Sequence, residues 1–136
     1  MATLSLLAEF GADQTKSVID EDHLRRMTLG DGSLEREVLE IFARQTVLTC
    51  NRLAGAEPAR AAAIAHTIKG SARGIGAWRV AAAAERLEQA ASAESGREAI
   101  QGAIVQLESV SAEVRDAIAA RLRNRWGEAT RDPLDE

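Results

Sequence analysis

The chain has no tyrosine, one cysteine, two prolines and very few aromatic residues, 3% of its 136 positions. Each shortage excludes something. A lone Cys50 rules out an internal disulfide and a cysteine-based zinc cluster. The prolines stand only at Pro58 and Pro133, so long stretches carry no helix breaker. The scarcity of β-favouring aromatics, beside abundant alanine, points to an all-α protein. No apolar run approaches the roughly 20 residues that a bilayer span requires, so no membrane segment is expected. The start, "MATLSLLAEFGADQTK", has no basic n-region and no long apolar core, so it is a poor secretory signal. A basic excess is missing too. The net charge is -4, with a pI of about 5.3, which disfavours nucleic acid as a partner. These absences together describe one cytoplasmic domain, with 46% hydrophobic residues to build a core.

What is present is helical periodicity. Residues 1–18 read as an N-terminal extension, with a helical turn around Leu4 to Phe10. A short helix is expected from Asp20 to Leu29, capped by Asp20 and ended by Gly30. "GDGS" then makes a turn in which Asp31 or Ser33 caps the next helix. That helix should run from Leu34 to Leu53, with Leu34, Val38, Ile41, Gln45 and Leu48 on its inner face. Pro58 suits the first turn of a third helix, which loosens at Gly74 and Gly76. A fourth should span Ala77 to Ala93, with Val80, Ala84, Leu87 and Ala91 inward. The last should run from Arg97 to Arg125 on a stripe of Ile100, Ile104, Leu107, Val114 and Ile118. The expected domain is therefore residues 19–126, followed by a polar tail at 127–136. Four long amphipathic helices with short links predict an antiparallel, up-down-up-down four-helix bundle with a short additional N-terminal helix.

The stretch "AHTIKGSARGIG" concentrates glycines beside a lysine. It is not a phosphate-binding loop. In a P-loop the lysine follows the second glycine, whereas Lys69 precedes Gly70. A dinucleotide loop would need glycine at position 79, which is Arg79. The helical wheel is more informative. Ile64, Ile68, Ala72 and Ile75 form one apolar stripe. His66 lies roughly 160° from Ile64 and Ile68, and so points outward. Lys69, Gly70 and Arg73 share its face. Gly70 costs about 1 kcal/mol of helix stability relative to alanine, a residue this chain uses freely. Its value would be to leave room for an approaching protein. Only Lys16 and Lys69 are lysines among 17 basic residues. A compact ammonium there could neutralise a phosphoryl group. Taken alone, each feature has a plainer reading. A lone exposed histidine or lysine is usually just solvated, and no metal-ligand or triad spacing involves His66 or His23.

At "HTIKGSARGIGA" the sequence resembles the histidine-containing phosphotransfer (HPt) domains of bacterial phosphorelays. Their pattern is a histidine, an apolar residue, Lys-Gly at the third and fourth positions, small residues, and glycine at the tenth. Here these are His66, Ile68, Lys69, Gly70, Ser71, Ala72 and Gly76. "LRRMTLGDGSLEREVLEIFARQ" and "AAAAERLEQAA" are similar to the family's flanking helices, so the resemblance spans residues 20 to 122.

The resemblance implies a phosphocarrier without ATP-dependent kinase activity. His66 would take a phosphoryl group through Nε2 from a receiver-domain aspartate and pass it to another. Lys69 would neutralise the phosphoryl charge, and Gly70 would give the receiver access. No cofactor is implied, Mg²⁺ being held by the partner receiver. The implied partners are response-regulator receiver domains and a hybrid or upstream histidine kinase, with the chain itself a monomer. The family often has glutamine 22 positions after the histidine, where this chain has Glu88. That residue either accepts Nδ1–H and orients the imidazole, or is a solvated helix residue. Leu24, Met27 and Arg73 are candidates for receiver docking, although Leu24 and Met27 also suit the core. Gln45 is either semi-buried or part of the docking rim. Two other readings compete. One is a dimeric histidine-kinase-like bundle, disfavoured because Thr67, not an acidic residue, follows the histidine. The other is a non-enzymatic helical scaffold.

Overall fold

The computed structural model describes residues 18–93 and 95–129. The expected turn at Leu4 to Phe10, most of the N-terminal extension and residues 130–136 lie outside them. Among the described residues there are five helices and no strand. They are α1 (Glu21–Met27), α2 (Gly32–Leu53), α3 (Pro58–Ile75), α4 (Trp78–Ser92) and α5 (Arg97–Ala129). The last continues through Ala129, past the end expected near Arg125.

Local chemistry explains the boundaries. Asp20 caps α1, its side chain accepting from the His23 N–H at 3.1 Å. Asp31, not Ser33, caps α2 by accepting from the Leu34 N–H at 3.1 Å. Pro58 opens α3 at a position where no N–H is needed. At the other end of α3, Gly76 is left-handed, with φ of 79°, and the Ala77 N–H reaches back to the Ala72 carbonyl at 2.9 Å.

The four long helices pack as a ring, α2 against α3, α3 against α4, α4 against α5 and α5 against α2, while α1 lies on α3. The α3–α4 pairing is the most extensive. The buried residues of these two helices are largely alanine (Ala61, Ala65 and Ala72 on α3, Ala81, Ala83 and Ala84 on α4), and small side chains let helix axes approach closely. Val80, Leu87, Leu107, Val114 and Ile118 fill the core from α4 and α5.

On α2 the burial differs from the expected stripe. The inner residues are Glu35, Leu39, Phe42, Thr46, Cys50 and Leu53. Leu34, Ile41 and Leu48 are exposed, Leu48 by 59%, and Gln45 is exposed too. The helix carries two stripes about one residue apart. The buried one contains two polar residues made tolerable by α5: Arg121 pairs with Glu35, and Arg115 donates to Thr46 Oγ1 at 3.3 Å. Arg121 also pairs with Glu21 and so ties α1 to α5.

Candidate functional site

His66 stands in the middle of α3 with its side chain 70% exposed. The α3–α4 pairing brings Glu88 beneath it. His66 Nδ1 lies 2.9 Å from Glu88 Oε2, and Lys69 Nζ donates to Glu88 Oε1 at 2.6 Å. Glu88 thus bridges two residues one helical turn apart on the neighbouring helix. The hydrogen bond from Lys69 holds the Glu88 carboxyl below the usual glutamate value, against the opposing effect of desolvation, and His66 adds to the lowering. At neutral pH Glu88 is therefore an ionised, acceptor-only group. An ionised carboxylate can only accept, so Nδ1 is the donor in this contact, and Nε2 is the ring nitrogen that Glu88 does not engage.

The sign of the Glu88 shift predicts an acid dependence. A lowered folded value means the stabilisation by these pairs is complete above about 4.5, the ordinary glutamate value, and is lost as pH falls through the folded value. The stability difference between wild type and Glu88→Gln, read from urea unfolding at a series of pH values, should shrink as pH falls below about 4.5 and vanish in strong acid.

The other residues singled out in the sequence separate into those that share this face and those that do not. A Cβ built on Gly70 meets nothing within 4 Å, so no internal packing requires glycine there. Lys69 is mostly buried by its ion pair, at 14% exposure, whereas Arg73 is exposed. The Arg73 carbonyl accepts from His23 Nε2 at 2.8 Å, which anchors α1 near the C-terminal end of α3. Leu24 is fully buried and belongs to the core, one of the two readings open for it in the sequence. Met27, at the C-terminal end of α1, is 56% exposed. Gln45 is not semi-buried. With Leu48, Thr49 and Arg52 it lines a groove of about 250 Å³ whose far wall is Thr67 and Ser71 of α3.

Of the exposed apolar residues Leu34, Ile41 and Leu48 on α2, Leu48 lines this groove, opposite Thr67, the residue that follows His66. Sequence reasoning placed these residues in the core. The signal against that was Phe42, the bulkiest apolar residue of α2, which belongs to the other stripe.

Among the described residues no group of three or more His, Cys, Asp or Glu side chains is placed to hold a metal, and no helix is long and apolar enough to cross a membrane. No curated protein matches the chain. Among solved structures it is similar to the X-ray structure of a rice protein described as a histidine-containing phosphotransfer protein. The TM-score is 0.72 at 18% identity, over 88% of this chain and 89% of that one, a likeness of fold. The family model of the Hpt domain matches residues 34–124, from the first turn of α2 deep into α5, with His66, Lys69, Gly70 and Glu88 inside the match. The chain belongs to the Hpt domain family.

Proposed function

We propose that this chain relays a phosphoryl group between the aspartates of response-regulator receiver domains through a phosphohistidine at His66. The observation that carries the reading is the exposed imidazole whose Nδ1 is tied to Glu88, leaving Nε2 as the nucleophile. The Nε2 lone pair attacks phosphorus, the bond from phosphorus to the aspartyl oxygen breaks, and the carboxylate leaves with that electron pair. Catalysis in such a transfer is mostly positioning and charge neutralisation. Glu88 positions the ring by fixing its tautomer. Lys69 offsets the Glu88 charge and places an ammonium near the arriving phosphoryl group. Mg²⁺ belongs to the receiver.

An Hpt domain is a phosphocarrier module, not a kinase, so ATP alone should leave the protein unlabelled. The four long helices act as an antiparallel bundle that holds this site rigid, in a cytoplasmic monomer whose upstream donor is a hybrid or free-standing kinase relay.

The receiver docks over Gly70, Arg73 and the α2–α3 groove, with the exposed apolar residues of α2 supplying apolar contact in place of Leu24. Leu48, exposed on α2, lines the groove with Thr67 and Ser71 of α3, which supports this surface. Gly70→Gln and Ile41→Asp should each slow transfer from a phosphorylated receiver by roughly tenfold, equivalent to about 1.4 kcal/mol. Both positions are exposed, so the helical circular dichroism should not change. Transfer at the wild-type rate in both variants would contradict the docking surface. The reading itself is tested by incubating the protein with radiolabelled phospho-receivers. Acid-labile, base-stable label on this chain supports it, and no transfer from any receiver tried would sink it.

A further inference from the structure

The carboxylate at position 88 invites a question about the phosphorylated state. An ionised Glu88 lies within hydrogen-bond distance of the ring that is to receive a doubly charged phosphoryl group. Simple repulsion would make it a poor choice. Its geometry offers a compensating role, because Oε2 meets the nitrogen that is not phosphorylated.

We propose that Glu88 keeps the Nδ1 proton on His66 after phosphorylation, so that the phosphohistidine stays in its protonated, readily transferred form. This rests on the reading above that Nε2 accepts the phosphoryl group. Before transfer, the neutral ring carries a proton on Nδ1 and a lone pair on Nε2. When Nε2 bonds to phosphorus, the ring becomes a cation with the same proton on Nδ1. In the onward step an aspartate oxygen bonds to phosphorus, and the electron pair of the N–P bond returns to Nε2. The leaving group is then neutral imidazole. Had Nδ1 lost its proton, the leaving group would be an imidazolate anion, which departs far less readily. A fixed anion at Nδ1 opposes that loss, and no proton moves in either direction of the relay.

The charges around the ring fit this assignment. From α4, Glu88 makes the contact, and Glu85 lies one turn earlier on the same side. From α3 itself, Lys69 and Arg73 share the histidine's face, but the Lys69 ammonium is drawn to Glu88 Oε1, away from Nδ1. From α2 the charged residue of the adjoining groove is Arg52, which lines it with Thr67. His23, of α1, is engaged with the Arg73 carbonyl, two turns along α3. Glu88 is the carboxylate within hydrogen-bond distance of Nδ1. An opposite charge at such a distance moves a titration by about one unit or more. Glutamine at this position could still accept the hydrogen bond but would supply no charge.

The test uses the full chain phosphorylated chemically with phosphoramidate, a small donor that needs no receiver. Phosphorus NMR then follows the phosphohistidine signal from acid to alkaline pH in wild type, Glu88→Gln and Glu88→Ala. The midpoint of the titration should fall by about one pH unit or more in both variants. At mildly alkaline pH the wild-type phosphohistidine should lose its phosphoryl group to water roughly tenfold faster than either variant. Coincident midpoints in the three proteins would overturn the inference, as would a failure of phosphoramidate to modify His66. Because receivers are absent, coincident midpoints would leave the relay reading untouched. Failure of receivers to label the protein would instead overturn the relay, whatever the NMR shows.

Discussion

Gly76→Ala should lower the stability of the protein by about 2–5 kcal/mol, read as a fall in the urea midpoint at unchanged slope. Two effects add. Gly76 ends α3 in the left-handed region, at φ of 79°, where a Cβ costs about 1–2 kcal/mol. That Cβ would also stand 2.9 Å from Asp20 Cβ, 3.0 Å from the Asp20 carbonyl oxygen and 3.2 Å from its nitrogen. Two of these are backbone atoms, so no rotamer change relieves the crowding, and overpacking of this kind costs about 1–3 kcal/mol. The contact cannot easily move away. The Asp20 N–H donates to the Gly76 carbonyl at 2.9 Å, and Asp20 Oδ2 accepts from Trp78 Nε1 at 3.0 Å. Gly70→Ala is the control. Its Cβ would meet open space inside a helix, and the change should stabilise the protein by up to about 1 kcal/mol. Equal losses at both positions would contradict this division, in which Gly76 serves the fold and Gly70 serves the approach of a partner.

His66→Gln should abolish phosphoryl acceptance altogether. The lone pair of the glutamine amide nitrogen is delocalised into its carbonyl, so this is loss of the nucleophile rather than a graded weakening. The fold should be untouched. His66 is 70% exposed, and surface changes of this kind usually shift stability within about ±0.5 kcal/mol. Glu88 keeps its ion pair with Lys69, so the α3–α4 contact survives. Unfolding curves that coincide with wild type, beside a complete loss of acid-labile label, are the expected pair of results. Residual label on the variant would place the acceptor elsewhere.

Much of this site was legible in the sequence because α3 and α4 each have one unambiguous apolar stripe. With Ile68, Ala72 and Ile75 inward, the wheel alone turns His66 and Gly70 to solvent. On α4 the inward set of Val80, Ala84, Leu87 and Ala91 is buried, together with Ala81 and Ala83. On α2 the same procedure chose the wrong stripe. Leu34, Ile41 and Leu48 are more uniformly apolar than their buried neighbours, which include Glu35 and Thr46. What makes those polar residues acceptable inside is Arg121 and Arg115, far away on α5, and no local window contains that pairing. Leu24 was ambiguous for a related reason. On a helix of 7 residues the buried side is decided by what the helix rests on, not by periodicity. Position 88 could be singled out in the sequence, but its two simultaneous contacts depend on how closely α4 approaches α3. That closeness comes from alanines whose joint effect is tertiary.

If His66 is a waystation for phosphate, a pulse–chase transfer should follow the group onto it and off again. A radiolabelled phospho-receiver is mixed with this protein, the donor is removed, and a second, unlabelled receiver is added. Label should appear on this chain, acid-labile and base-stable, and then move to the aspartate of the second receiver, with nothing transferred through His66→Gln. Label that passes equally well through His66→Gln, or label on the wild-type chain that no receiver can remove, would contradict that role.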